Sequence, residues 1–146
     1  MKFFRYLRFA CLTLLLQQSA FASSGESEKW QSPLSIDGAE TISVEQAQQA
    51  HKNGVLFVDV RSPRQFSKRH IPGALNLYVK NAFTEQALLK HVDKQMPFVV
   101  YCNGTHCSLS SKAARKAIGW GFTDVKYFRE GARGWRLAGN QLETGS

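Results

Sequence analysis

The sequence predicts an α/β fold: a mainly parallel sheet flanked by helices. Short apolar, β-branched runs (VLFVDV, ALNLYV, PFVVYC and DVKYF) alternate along the chain with segments of helical spacing. Within VLFVDV and PFVVYC several apolar residues follow one another, as in strands covered on both faces, where a half-exposed strand would alternate. The length and a hydrophobic content of 43% suit one domain around one core, with no repeat and no second domain.

The chain opens on MKFFRYLR, carrying Lys2, Arg5 and Arg8, followed by the apolar FACLTLLL and small residues around Ala20-Phe21-Ala22. A basic start, an apolar run too short to span a bilayer with ease and a small-residue cleavage site mark residues 1–22 as a signal peptide. Gln17, Gln18 and Ser19 interrupt the apolar run and disfavour an uncleaved anchor. The expectation is cleavage after Ala22 and export to a periplasm, with no stable membrane association afterwards. Cleavage removes three of the 19 basic residues and none of the 11 acidic ones, leaving 16 against 11. That surplus suits small anionic ligands. The Lys and Arg residues are scattered rather than striped with aromatics, so no nucleic-acid partner is expected.

Residues 23–37, SSGESEKWQSPLSID, are polar and aperiodic and read as a tether or loosely docked arm with Trp30 as its large anchor. The domain proper is expected over 38–146. Ser43 caps a short helix with Gln46 three positions on, Ala47 and Ala50 mark its apolar side, and Gly54 stops it. VLFVDV is then a buried parallel strand, SPRQFSKRH a short helix or turn, and ALNLYV a further strand. FTEQALLKHV sets Phe83, Ala87, Leu88 and Val92 near helical spacing, and PFVVYC is a second buried strand. In SSKAARKAIGWG, Ala113, Ala114, Ala117 and Ile118 share one side while Lys112, Arg115 and Lys116 share the other; DVKYF follows as a strand.

In open parallel sheets, sites form beyond the carboxyl ends of the strands, and Cys102 stands at that end of PFVVY, immediately before a helix. Unpaired N–H groups and the positive end of a helix dipole favour its thiolate over its thiol. Asn103, Gly104, Thr105, His106, Cys107 and Ser108 are therefore expected to form a cradle around the Cys102 sulfur. In it, Gly104 would allow amides to turn inward and Ser108 or Ser110 would cap the helix.

Three ordered stretches, DVRSPRQFSKRHIPGALNL (59–77), VVYC and FREGARGW (128–135), resemble the rhodanese-like single-domain sulfurtransferases. The resemblance implies a single rhodanese-like domain in which Cys102 takes up sulfur as a persulfide and passes it to an acceptor. The donor would be thiosulfate or a related small sulfur anion or persulfide, the acceptor cyanide or a thiol, including one on a protein. No cofactor or metal is implied. Phosphatases and arsenate reductases of similar shape need an Arg after five intervening residues; here Ser108 holds that position, so a phosphate would lack its bidentate partner.

Cys107 stands where many members of the family have Arg, and this leaves several readings open. It can be a resolving thiol that attacks a persulfide, or half of a structural disulfide with Cys102. The pair can also serve a periplasmic redox or sulfur-binding module without thiosulfate turnover. A soft metal held by Cys102, His106 and Cys107 is a weaker reading, with three ligands crowded into one loop. Arg129 and Arg133 are candidates for the cation that the loop lacks. The remaining features are read as structural: His106 points to water, Asp59 and Arg61 form an ion pair pinning the SPRQF turn, His70-Ile71-Pro72-Gly73 is a tight turn, and Trp135 is packing.

Overall fold

The computed structural model describes residues 29–145; the expected signal peptide, 1–22, and the start of the arm lie outside the described residues. Five strands, β1 (Ala39–Thr41), β2 (Leu56–Asp59), β3 (Leu75–Asn76), β4 (Phe98–Tyr101) and β5 (Val125–Phe128), form one sheet in the order β1-β5-β4-β2-β3. Every pairing is parallel. The helices are α1 (Val44–Lys52), α2 (Pro63–Lys68), α3 (Glu85–Leu89), α4 (Leu109–Gly119) and α5 (Gly131–Leu137).

β4 lies at the centre of the sheet, and its four residues are all buried. Because side chains alternate across a strand, FVVY feeds two cores. Phe98 and Val100 pack with Leu88, Ala113, Ala114, Ala117 and Phe122 on the α3 and α4 side, and Cys102 continues that row. Val99 and Tyr101 pack with Ala47, Ile71, Ala132 and Trp135 on the other face. The buried flank of α4 is built from Ala and Ser. These short side chains let the helix lie close to the sheet, which brings its first turn beside Cys102. Each fully buried Val or Phe of β4 contributes about 1.5–3 kcal/mol relative to exposure, so the strand that ends at Cys102 is a rigid base.

The capping box on α1 forms as expected: Ser43 Oγ accepts the Gln46 N–H at 3.2 Å, and Gln46 Oε1 accepts the Ser43 N–H at 2.8 Å. Gly54 ends the helix with φ +73°, a conformation that costs Gly little. The structure adds two elements to the predicted order, β1 and α5. It also shortens ALNLYV to the two residues of β3. At the end of β3, Asn76 donates its side-chain amide to the carbonyls of Asp59 and Arg61, at 3.0 and 2.9 Å, and beyond it Val79 donates its backbone N–H to Val60 O, so the chain leaves the ladder.

The arm departs from its expected character. Trp30 does not anchor it, being 54% exposed, whereas Ser32 and Ile36 are buried. Tyr127 donates its hydroxyl to Pro33 O at 3.2 Å, and Arg129 Nε donates to Ser32 O at 3.0 Å. Residues 31–36 are docked by the backbone carbonyls of Ser32 and Pro33 and by the buried Ile36 side chain, contacts that polar composition does not reveal.

Candidate active site

The loop between β4 and α4 is fastened from two sides. From below, the N–H groups of Ala132 and Arg133 reach the carbonyls of Cys102 and Asn103 at 3.0 and 2.9 Å. That approach requires Gly131: it has φ +58°, and a Cβ there would overlap the Cys102 carbonyl oxygen. From the side, Ser32 N and Oγ both donate to Thr105 O, at 2.7 and 3.0 Å. Inside the loop, Cys107 N donates to Gly104 O at 3.0 Å. The backbone N–H groups of Asn103, Gly104, Thr105 and His106 find no acceptor among the described residues. Four consecutive free donors next to the start of α4 form an electropositive rim.

A disulfide joins Cys102 to Cys107, with Cα atoms 6.4 Å apart. The separation falls within the bridging range even across so short a loop. The two sulfurs are not equivalent. Cys102 is 1% exposed, while Cys107 is partly exposed and lines an open cavity of about 100 Å³ together with Asn103, Gly104, Thr105, His106 and Arg133. An incoming thiolate therefore meets Cys107 first, and the electrons of the broken S–S bond leave on Cys102. Cys102 is then the sulfur that leaves as a thiolate.

Several expectations are corrected. Gly104, expected to let the loop amides turn inward, has no positive φ; it is buried under α5, and a Cβ there would lie 3.4 Å from Glu130 O and 3.5 Å from the Arg133 Cβ. Neither Ser108 nor Ser110 caps α4. Ser108 is the N-cap residue but has helical backbone angles, and Ser111 Oγ donates to its carbonyl at 2.9 Å. Ser110 Oγ is buried with no partner among the described residues. Arg129 is turned onto the arm, donating also to Gln31 Oε1 at 3.0 Å, so Arg133 is the arginine at the loop cavity. His106 is exposed, with Nδ1 3.2 Å from Thr105 Oγ1, and no three His, Cys, Asp or Glu side chains come together among the described residues.

Behind the loop, Asp59 and Arg61 form a buried pair whose guanidinium also donates to Arg69 O at 2.7 Å, fixing the end of α2 to the sheet. Burial works against the Arg61 charge, but hydrogen bonding to Asp59 and its negative charge outweigh it, and the pKa of the guanidinium rises. Tyr101 accepts the Ile71 N–H at 3.1 Å; burial, followed by the Asp59 charge, pushes its phenol far above the ordinary range, so it stays neutral. Trp135 packs edge-on to Phe57 and His51 and donates Nε1 to Gln141 O at 2.9 Å. These groups brace the loop and do not enter its cavity.

Residues 43–138 match the Rhodanese-like domain family. Among individual proteins, the chain is 35% identical over 95 residues to the thiosulfate sulfurtransferase GlpE of Pseudomonas syringae pv. syringae, spanning 65% of this chain and 85% of the relative. It is 34% identical over the same length to the protein of that name from Ectopseudomonas mendocina, spanning 83% of it. Among solved structures, the BH2092 protein from Bacillus halodurans superposes with a TM-score of 0.64 at 26% identity, over 72% of this chain and 77% of that one.

Proposed function

The chain belongs to the rhodanese-like domain family and is a sulfurtransferase of that kind, and from this premise we propose that Cys102 carries sulfane sulfur as a persulfide and passes it to a thiol or cyanide. The observation that carries the reading is the position of Cys102 at the end of β4, at the foot of a loop with four consecutive N–H groups without acceptors among the described residues and with Arg133 at its cavity. Once the bridge is reduced, the Cys102 thiolate attacks the outer sulfur of thiosulfate, the S–S bond of the donor breaks, and sulfite leaves with the electron pair. The rim of amides bears the negative charge of the resulting persulfide. An acceptor thiolate then takes the outer sulfur and returns Cys102 as thiolate. The free thiolate of Cys107 offers a second exit: it attacks the inner sulfur, re-forms the disulfide and expels hydrosulfide.

Reduced wild type and Cys102→Ser, each incubated with thiosulfate and followed by intact mass, test the assignment. Wild type is expected to gain one sulfur atom and the variant none. Substantial uptake or transfer by Cys102→Ser would remove Cys102 from the role.

The disulfide favours a second reading, in which the pair exchanges electrons with a partner thiol protein and needs no thiosulfate. Under that reading the reduced protein gains no sulfur from thiosulfate but reduces a disulfide substrate stoichiometrically.

A further inference from the structure

A second cavity, of about 250 Å³, adjoins the loop cavity and shares Asn103 and Arg133 with it. Its wall carries four arginines from three parts of the chain: Arg61 after β2, Arg69 after α2, and Arg133 and Arg136 on α5. Arg61 is neutralised by Asp59, but Arg69, Arg133 and Arg136 make no ion pair among the described residues. Arg133 and Arg136 are three apart on one helix, so they present their guanidinium groups on the same side. Three like charges around one cavity repel each other, and with no carboxylate among the residues that line it an anionic ligand is the natural complement. Guanidinium groups bind carboxylates in bidentate fashion, and Leu142 and Ala132 add an apolar surface for a carbon skeleton.

We propose that this cavity binds the carboxylates of a low-molecular-mass, multiply carboxylated thiol, placing its sulfur over the reactive loop as acceptor or, when persulfidated, as donor. The proposal rests on the sulfur-transfer reading for the chemistry but not for the binding site. The shared residues Asn103 and Arg133 connect the two cavities, so one molecule can fill both. Thiosulfate itself is small enough for the loop cavity and has no need of the larger one.

The site is tested first without sulfur chemistry. Calorimetric titration of the purified protein with S-methylmercaptosuccinate, a redox-inert dianion, should give saturable binding that weakens as salt is raised. Its dimethyl ester should not bind, and Arg69→Ala/Arg136→Ala should weaken the dianion by at least about tenfold, the loss of roughly one charge-assisted interaction. No binding to wild type, equal binding of the ester, or equal binding by the double variant overturns the proposal. Transfer from persulfidated Cys102 to mercaptosuccinate and to 2-mercaptoethanol is then compared. The ratio of their kcat/KM values should favour the dicarboxylate and fall about tenfold in the double variant; a ratio that the variant leaves unchanged overturns the role as an acceptor site. Arginine-dependent binding of the dianion by a protein that never takes sulfur from thiosulfate would uphold the cavity and remove the sulfur-transfer reading instead.

Discussion

Ser32 gives both its backbone N–H and its hydroxyl to the carbonyl oxygen of Thr105, so the N-terminal arm is tied to the middle of the reactive loop. Ser32→Ala keeps the backbone bond and removes the hydroxyl bond, which lies in a buried place. The expected cost is about 1 kcal/mol in chemical unfolding, with faster amide hydrogen exchange at Thr105 and His106. Unchanged stability together with unchanged exchange in the loop would show that the arm does not support it.

Gly131→Ala tests the clamp from below. The added methyl meets backbone, at the Cys102 carbonyl, and the residue keeps a left-handed φ, so nothing flexible can yield. A destabilisation of at least about 2 kcal/mol is expected, together with loss of sulfur uptake at Cys102. Gly119→Ala is the control: a methyl there meets nothing within 4 Å at the end of α4, and up to about 1 kcal/mol of stabilisation is expected. Retention of wild-type stability by Gly131→Ala would mean that α5 does not lock the loop.

Glu143 fastens the C-terminal segment to the stretch that follows α2. Its Oε1 accepts the Gly73 N–H at 2.8 Å and lies 3.0 Å from His70 Nε2, while the backbones of His70 and Glu143 exchange two hydrogen bonds. The Gly73 N–H, followed by His70, holds the Glu143 carboxyl below its ordinary value of 4.5. A carboxyl whose native pKa is depressed stabilises the fold above its unfolded pKa, and that stabilisation is lost as pH falls through the native value. Glu143→Gln should therefore melt slightly below wild type at neutral pH, with the gap closing progressively below pH 4.5. A gap that stays constant down to strong acid would assign the effect to packing rather than to charge.

Much of the fold is legible in the residues, for reasons that also mark where legibility ends. β2 and β4 declare themselves through continuous apolar runs because both faces of each are covered. β1 does not: Ala39-Glu40-Thr41 is a three-residue edge strand in which Glu40 and Thr41 are exposed, recruited by β5 rather than by its own composition. α5 contains Gly131 and Gly134 and has poor intrinsic helicity; its start is held by the carbonyls of Cys102 and Asn103. Cys102 could be singled out from its place after a buried strand. The bridge could not, because the curvature of the Asn103–His106 loop comes from Ser32 and α5, both distant in sequence. The arginine cavity was hidden for the same reason: Arg61, Arg69, Arg133 and Arg136 meet through the fold and share no motif.

Export remains a reading of residues 1–22, and its consequence is direct. Protein recovered from a periplasmic extract should begin at Ser23 on N-terminal sequencing. A chain keeping Met1 in the membrane fraction would replace the cleaved signal with an anchor.

The role of Cys107 follows from its exposure relative to Cys102. In the oxidised protein Cys107 faces the cavity and Cys102 lies beneath it, so wild type should take up no sulfur from thiosulfate until a reductant opens the bridge. After reduction and loading, the thiolate of Cys107 lies within reach of the inner sulfur of the persulfide. Its attack forms one S–S bond, breaks another, and releases hydrosulfide, so the persulfide of wild type should be short-lived. Cys107→Ser removes that attacker and leaves Cys102 permanently free. The variant should load without prior reduction, and its persulfide should outlast that of wild type by tenfold or more, on the order of the advantage that a neighbouring thiol holds over dilute ones in solution. The measurement is intact mass against time after removal of thiosulfate, with alkylation as the quench, accompanied by assay of hydrosulfide in the supernatant. Equal persulfide lifetimes in the two proteins, with no hydrosulfide from wild type, would confine Cys107 to bridging Cys102 in the idle enzyme. A bridge closing so small a ring adds little chain entropy, so Cys107→Ser should also leave thermal stability close to that of wild type.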